Sequence, residues 1–267
     1  MASLRFLALF AAVAAVPQLG LATVVWDQGF ESDTSGWFDD SNGWTGSATR
    51  VASGTGGITS KTGGFHAVFE QNSNGGSLSA PFSRFDGYRT VWPGGFTASI
   101  DIYLDTSWAA GAGFDYSVAV NGSDGNHQRD FIFHVTQDTS TGSLLVGGSN
   151  NTNFAPREDL ETLNNYEVTA SGWYTFEHDF RDAGDGTLAV DLNLRDDSGT
   201  LLFTETRNDG SDVIATEIGG NRYAWFTTVT VTNGIDLDNH SLSVVPEPFG
   251  IGFFGTLFGA AYYARRR

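Results

Sequence analysis

The chain has 267 residues, no cysteine and a formal net charge of −17. That length suits one large β domain or two small ones, while 13 % aromatics and only 14 Lys and Arg exclude a disordered tail, a coiled coil and a nucleic-acid binder reliant on clustered cations. Without cysteine there is no disulfide staple, no thiol catalysis and no Cys-ligated zinc.

Residues 1–22 contain Arg5, the apolar run 6–16 and the small-residue ending Gly20-Leu21-Ala22. This pattern predicts a secretory signal peptide cut before Thr23. Alternation then takes over. Over residues 96–105, Phe96, Ala98, Ile100, Ile102 and Leu104 share one face, and Thr97, Ser99, Asp101, Tyr103 and Asp105 share the other. A period of two is that of a half-buried strand. The same reading predicts strands over 65–71, 115–121, 129–138, 173–180, 188–196, 201–207, 223–232 and 241–245, with a helical turn or two near 157–163. The turns 121–125, 182–186 and 196–199 are rich in Gly, Asn and Asp, which tolerate positive φ. Short strands with such turns predict a single all-β domain over 23–245, a two-sheet antiparallel jelly-roll sandwich.

The tail, 246–267, opens on Pro246-Glu247-Pro248, continues through a mostly apolar run 249–264 and ends on Arg265-Arg266-Arg267. The run predicts a short C-terminal transmembrane helix, below the usual span of about 20 residues, with the arginines on the cytoplasmic side and the domain outside. A Pro-Glu-Pro tripeptide, an apolar helix and a basic end, in that order, resemble the PEP-CTERM sorting signal of exported bacterial proteins. The resemblance implies cleavage near Pro246–Pro248 by an exosortase, then display or release outside a Gram-negative cell. A simple tail anchor is the other reading. Removing 1–22 takes away Arg5 and removing 249–267 takes away three arginines, so ten cationic residues remain against 31 acidic ones. The exported domain therefore carries a net charge near −21, a surface suited to divalent cations.

The domain begins with Trp26-Asp27-Gln28-Gly29-Phe30-Glu31 and Ser35-Gly36-Trp37, and ends with Ile235-Asp236-Leu237-Asp238-Asn239-His240-Ser241-Leu242. These ends resemble those of jelly-roll carbohydrate-binding modules and concanavalin A-like sandwiches, which open on Gly-Phe-Glu and Gly-Trp and close on Ile-Asp-Asp-Val-Ser-Leu. The resemblance implies a structural calcium tying the terminal strands, with Glu31 and Asp238 as ligands and Asn239 and Asp236 as further candidates. Asn239 stands where the pattern has its second aspartate, and His240 where it has valine. Calcium takes six to eight oxygens, and an ion that binds only the folded chain stabilises it. Solvated strand-end carboxylates are the alternative.

Catalytic motifs are missing: Gly-x-Ser-x-Gly, His-Glu-x-x-His and the Glu-x-Asp-x-x-Glu of laminarinase-type hydrolases do not occur,. Asp182–Gly186 falls short of a calcium loop because Ala183 stands where an oxygen ligand belongs,. The nearest carboxylate pair is Glu177 and Asp179, which share a strand face with Trp173. These three form the candidate sugar-contacting set, since a ring can stack on a sugar while carboxylates accept its hydroxyls; an ordinary wet face is the alternative. His178 points the opposite way and is expected to bond a carbonyl in the core. Trp37, Trp44, Trp92, Trp108, Phe85 and Tyr88 sit in Gly/Ser-rich loops and form either a binding platform or local packing. The whole predicts an exported, exosortase-processed surface or matrix protein, non-catalytic, that binds extracellular polysaccharide with calcium as a structural ion. A polysaccharide hydrolase or lyase on the same fold and a ligand-free matrix component are the competing readings.

Overall fold

The computed structural model describes residues 22–38, 46–71, 79–87, 90–91, 94–121, 127–150, 157–213, 217–218 and 224–246. In chain order its strands are β1 (Thr23–Gln28), β2 (Trp37–Phe38), β3 (Gly46–Ala52), β4 (Phe65–Gln71), β5 (Ser79–Ser83), β6 (Thr90–Val91), β7 (Gly94–Leu104), β8 (Gly113–Asn121) and β9 (His127–Gln137). They continue with β10 (Leu144–Asn150), β11 (Asn165–Val168), β12 (Gly172–Asp182), β13 (Thr187–Arg195), β14 (Leu201–Val213), β15 (Glu217–Ile218), β16 (Ala224–Thr227) and β17 (Ile235–Pro246). Short 3-10 turns lie at Thr55–Gly57, Phe85–Gly87 and Arg157–Thr162, and no α-helix occurs among the described residues.

Two antiparallel sheets result. The eight-stranded sheet runs β14-β13-β12-β7-β17-β4-β3 with β1 added along β17, and the nine-stranded sheet runs β11-β10-β9-β8-β16-β5-β2 with β15 added beside β8 and β6 beside β15. Alternation decides what lies between them. Phe96, Ala98, Ile100, Ile102 and Leu104 of β7 and Phe176 and Phe180 of β12 meet Phe114, Tyr116 and Val118 of β8 and Phe131, Phe133 and Val135 of β9 in one buried cluster. Phe133 stands edge-on to Phe176 at 5.0 Å and Phe131 edge-on to Phe180 at 5.5 Å, the favoured geometry for aromatic pairs. The sandwich is therefore held by apolar burial between two faces.

The strand expected over 65–71 is β4, and the helical turn expected near 157–163 is the 3-10 turn Arg157–Thr162. Two expectations need correction. The strand expected over 223–232 ends at Thr227 because Thr228 turns to a φ of 54°. The strand expected over 241–245 starts at Ile235; a bulge between Asp238 and Ser241, with Asn239 at a φ of 49°, breaks the alternation there,. His178 bonds the Phe131 carbonyl at 3.1 Å, as expected. The signal-peptide segment, apart from Ala22, lies outside the described residues, as do Glu247, Pro248, Arg265, Arg266 and Arg267; Pro246 ends β17. Among the described residues no helix is long and apolar enough to cross a membrane.

Candidate functional site

The β1 end and the β17 bulge reach the same loop, residues 60–65. Asp238 is fully buried and accepts the backbone N–H of Thr62 at 3.0 Å and of Asn239 at 2.9 Å. Glu31 accepts the N–H groups of Gly64 at 3.1 Å and Phe65 at 3.2 Å. Asn239 accepts the Thr62 hydroxyl at 2.8 Å and donates to Asp101 at 2.8 Å. Arg50 steadies the Glu31 end through the Phe30 carbonyl at 2.8 Å, and its guanidinium covers the Phe65 ring. Burial, with the Asp101 charge nearby, pushes the Asp238 carboxyl up to about 6, even though two N–H groups pull the other way. Asp236 does not join this group; it pairs with His66 at 2.9 Å, whose other ring nitrogen meets Ser60 at 2.9 Å.

A calcium ion at this loop would need hard oxygen donors. Among the described residues no three His, Cys, Asp or Glu side chains gather as a ligand set. Glu31, Asp238 and the Asn239 amide oxygen are hard donors that flank one loop, and calcium completes such sets with backbone carbonyls and water. Gly63 makes the loop's approach possible: it sits at a φ of +61°, and a Cβ there would lie 2.2 Å from a Glu31 carboxylate oxygen. Gly63→Ala is expected to cost about 2 kcal/mol or more in denaturant unfolding, combining left-handed strain with displacement of Glu31. Gly54→Ala, at a φ of +93° with open space around it, is expected to cost only the strain, about 1 kcal/mol.

Beside this loop lies a cleft of about 350 Å³ lined by Tyr103, Trp108, Asp105, Asp236, Asn233, Ile58 and Val68, with Thr55, Gly56, Thr232 and Gly234 at its margins. Alternation on β7 brings Tyr103 to the outer face, and the turn after β7 brings in Trp108; both rings are half-buried. Asp105 accepts the Ser107 N–H at 2.8 Å, the Ser107 hydroxyl at 2.7 Å and the Ser171 hydroxyl at 3.1 Å. Burial opposes ionisation of Asp105, but these donors win and hold its carboxyl below the usual aspartate value. The cleft thus offers two ring surfaces and fixed oxygen acceptors within one concavity.

Trp173, Glu177 and Asp179 share a face of β12, but the structure assigns them different surroundings. Trp173 is only 9 % exposed. Its Nε1 donates to the Thr59 carbonyl at 2.8 Å, and its ring stands edge-on to Tyr103 at 5.6 Å and to His66 at 6.0 Å. It backs the cleft instead of presenting a stacking surface. Glu177 accepts Asn193 and Arg195, both at 3.0 Å. Asp179 accepts Thr97 at 3.1 Å, and burial, with Glu177 and Asp191 nearby, raises its carboxyl. Arg181 is held by Asp191 in a fork at 2.7 and 3.1 Å. These groups satisfy one another on an open polar face.

Of the loop aromatics, Trp37 and Phe85 are core residues at 6 % and 1 % exposure, while Trp44, Trp92 and Tyr88 lie outside the described residues. Tyr103 and Asp105 were visible as wet-face positions of a strand, but nothing local signalled that residues 55–58 and 232–236 would close a cleft around them.

The chain matches no known protein family and no curated protein in sequence. In shape it is similar to a protein of unknown function from Shewanella oneidensis MR-1, at 12 % identity over 88 % of this chain and 91 % of that one with a TM-score of 0.44. It is also similar to the CBM2 module of the evolved Dit of Lactobacillus casei BL23 phage J-1, at 11 % identity over 85 % and 98 % with a TM-score of 0.44. A third similar structure is the seed lectin of Lotus tetragonolobus, at 10 % identity over 85 % and 100 % with a TM-score of 0.45. Identities this low transfer no residue roles.

Proposed function

We propose that this chain is an exported carbohydrate-binding protein that holds a neutral extracellular polysaccharide in the Tyr103–Trp108 cleft. The observation that carries this reading is the cleft's lining: two aromatic rings, the acceptors Asp105 and Asp236, and neither Lys nor Arg among the described residues. Ring faces stack on the apolar side of a pyranose while fixed carboxylates accept its hydroxyls. A domain near −21 repels uronate polymers, so the polymer that fits is uncharged. The signal-peptide pattern and the Pro246-Glu247-Pro248 tail with Arg265–Arg267 support delivery outside the cell and processing by an exosortase. Affinity electrophoresis tests the binding: retardation is expected in gels containing neutral glucans or mannans and not alginate, and equal mobility in all of them would contradict it.

Calcium belongs to the same proposal as a structural ion at the 60–65 loop. Glu31, Asp238 and Asn239 would supply side-chain oxygens, and neutralising the buried Asp238 is what a cation there would contribute. At 100 times its dissociation constant an ion bound only to the folded chain adds about 2.7 kcal/mol, equivalent to a rise in Tm of roughly 5–10 °C for this size. Thermal melts with calcium and with chelator should differ by that amount, and Glu31→Gln should shrink the difference. Identical melts would remove calcium from the account.

A further inference from the structure

Three neighbouring strands of the nine-stranded sheet bring an aspartate, a histidine and a serine into one hydrogen-bonded line. Asp115 Oδ1 on β8 lies 2.7 Å from His134 Nδ1 on β9, and His134 Nε2 lies 2.6 Å from Ser149 Oγ on β10. Asp115 pairs directly with His134 across the sheet, and His134 with Gly147, so Ser149, two residues further along β10, returns to the same face,. Exposure is graded along the line: the Asp115 side chain is fully buried, that of His134 is 7 % exposed, and Ser149 is half-buried. An acceptor at Nδ1 fixes the ring proton on that nitrogen and leaves Nε2 to take the serine Oγ–H. The second Asp115 oxygen receives no donor from the described residues. Gly147 has no side chain, and a Cβ there would meet Leu160 at 2.9 Å, so Leu160 packs over Gly147, the residue paired with His134.

A buried histidine seeking partners needs only one acceptor for its N–H, and a carbonyl suffices, as it does for His178. His134 instead has a buried carboxylate on one nitrogen and a reachable hydroxyl on the other, which is the geometry that activates a serine. We propose that Ser149 is a nucleophile for ester hydrolysis, with His134 as general base and acid and Asp115 as the residue that positions the imidazole. The substrate class is an acyl ester of an alcohol, with water as the second reactant. This activity goes beyond polysaccharide binding and uses the sheet opposite the cleft.

Ser149 Oγ bonds to the acyl carbon while its proton passes to His134 Nε2. The acyl carbon–oxygen bond breaks, and the departing alcohol takes that proton. Water then gives a proton to Nε2 and bonds to the acyl carbon, the ester to Ser149 breaks, and Nε2 returns the proton to Oγ, leaving a carboxylic acid.

The test uses the full chain with a fluorophosphonate probe and with p-nitrophenyl acetate. Phosphonylation located at Ser149 by mass spectrometry is expected, as is p-nitrophenolate release that falls about 100-fold or more in Ser149→Ala. Asp115→Asn should lower kcat with little change in KM, a split that a purely structural role would not produce. Absence of Ser149 from the labelled sites of the folded wild-type chain, which needs no variant to fold, would overturn the inference, as would equal hydrolysis by Ser149→Ala. Ser149→Ala should still be retarded by neutral polysaccharide, so a failure here is distinct from a failure of the binding proposal.

Discussion

Acidification from pH 7 to pH 4 is expected to lower the Tm by roughly 10 °C, because two histidines are folded into the core in neutral form. His178 and His240 are both fully buried, and each has an Nδ1 without a partner among the described residues. His240 is ringed by Trp26 and Trp37 at 4.9 Å and Phe85 at 5.0 Å. Burial drives both imidazoles down to about 3; the Phe131 carbonyl offsets this slightly for His178, and the charge of His178 adds to it for His240.

The sign of the effect follows from proton counts. The unfolded chain takes up these protons near pH 6.5 and the folded chain only near 3, so stability is intact above 6.5 and is lost as pH falls through that window. By pH 4 each histidine costs on the order of 3 kcal/mol, at 1.4 kcal/mol per decade. Asp238, raised to about 6, works against this between 6 and 3.8, because there the folded chain holds the extra proton. A net loss of several kcal/mol is a large share of an ordinary stability of about 5–15 kcal/mol, and it maps onto the stated fall in Tm. Melts recorded across the pH range check it, and the slope should flatten in a His178→Gln, His240→Gln double variant. A Tm that stays level from pH 7 to 4 would show that neither ring is held neutral.

Removing both rings of the cleft, Tyr103→Ala with Trp108→Ala, should abolish polysaccharide binding, with some loss of stability because Trp108 also packs on the core edge-on to Phe114 and Tyr103 edge-on to Trp173. Each half-buried ring is an anchor of the kind whose truncation costs about 2 kcal/mol, roughly 30-fold, so the pair takes a micromolar affinity out of measurable range. Trp173→Phe should weaken binding less. It keeps a ring behind Tyr103 but loses the bond from Nε1 to the Thr59 carbonyl. Glu177→Gln should leave binding unchanged, since Glu177 is taken up by Asn193 and Arg195 on the open face. Titration of each variant against one neutral polymer separates these cases, and equal affinity for wild type and the double variant would move the site elsewhere.

The sandwich was legible wherever a strand keeps one dry and one wet face. β7 and β12 were readable in this way because Ile100 stands between Ser99 and Asp101 and Phe176 between Thr175 and Glu177. β10 was not: Leu144, Leu145, Val146 and Gly147 are all buried, so its sequence shows no alternation, and with it Ser149 escaped notice. The first half of β17, 235–238, does alternate, but the bulge at Asn239 breaks the period and cut it off from the segment 241–245. Glu31 and Asp238 stood out in the sequence because they stand in terminal motifs. Their meeting at residues 60–65, the enclosure of Tyr103 and Trp108, and the line from Asp115 to Ser149 all join residues far apart in the chain. Such juxtapositions leave no local spacing for a sequence pattern to register.

The most direct test of the central claim is isothermal titration of residues 23–246 with a panel of soluble polysaccharides at physiological salt. Saturable binding to a neutral polymer, lost in the Tyr103→Ala, Trp108→Ala variant and absent for alginate, is the predicted result. Binding to alginate in preference to every neutral polymer, or no binding at all with calcium present, would contradict it.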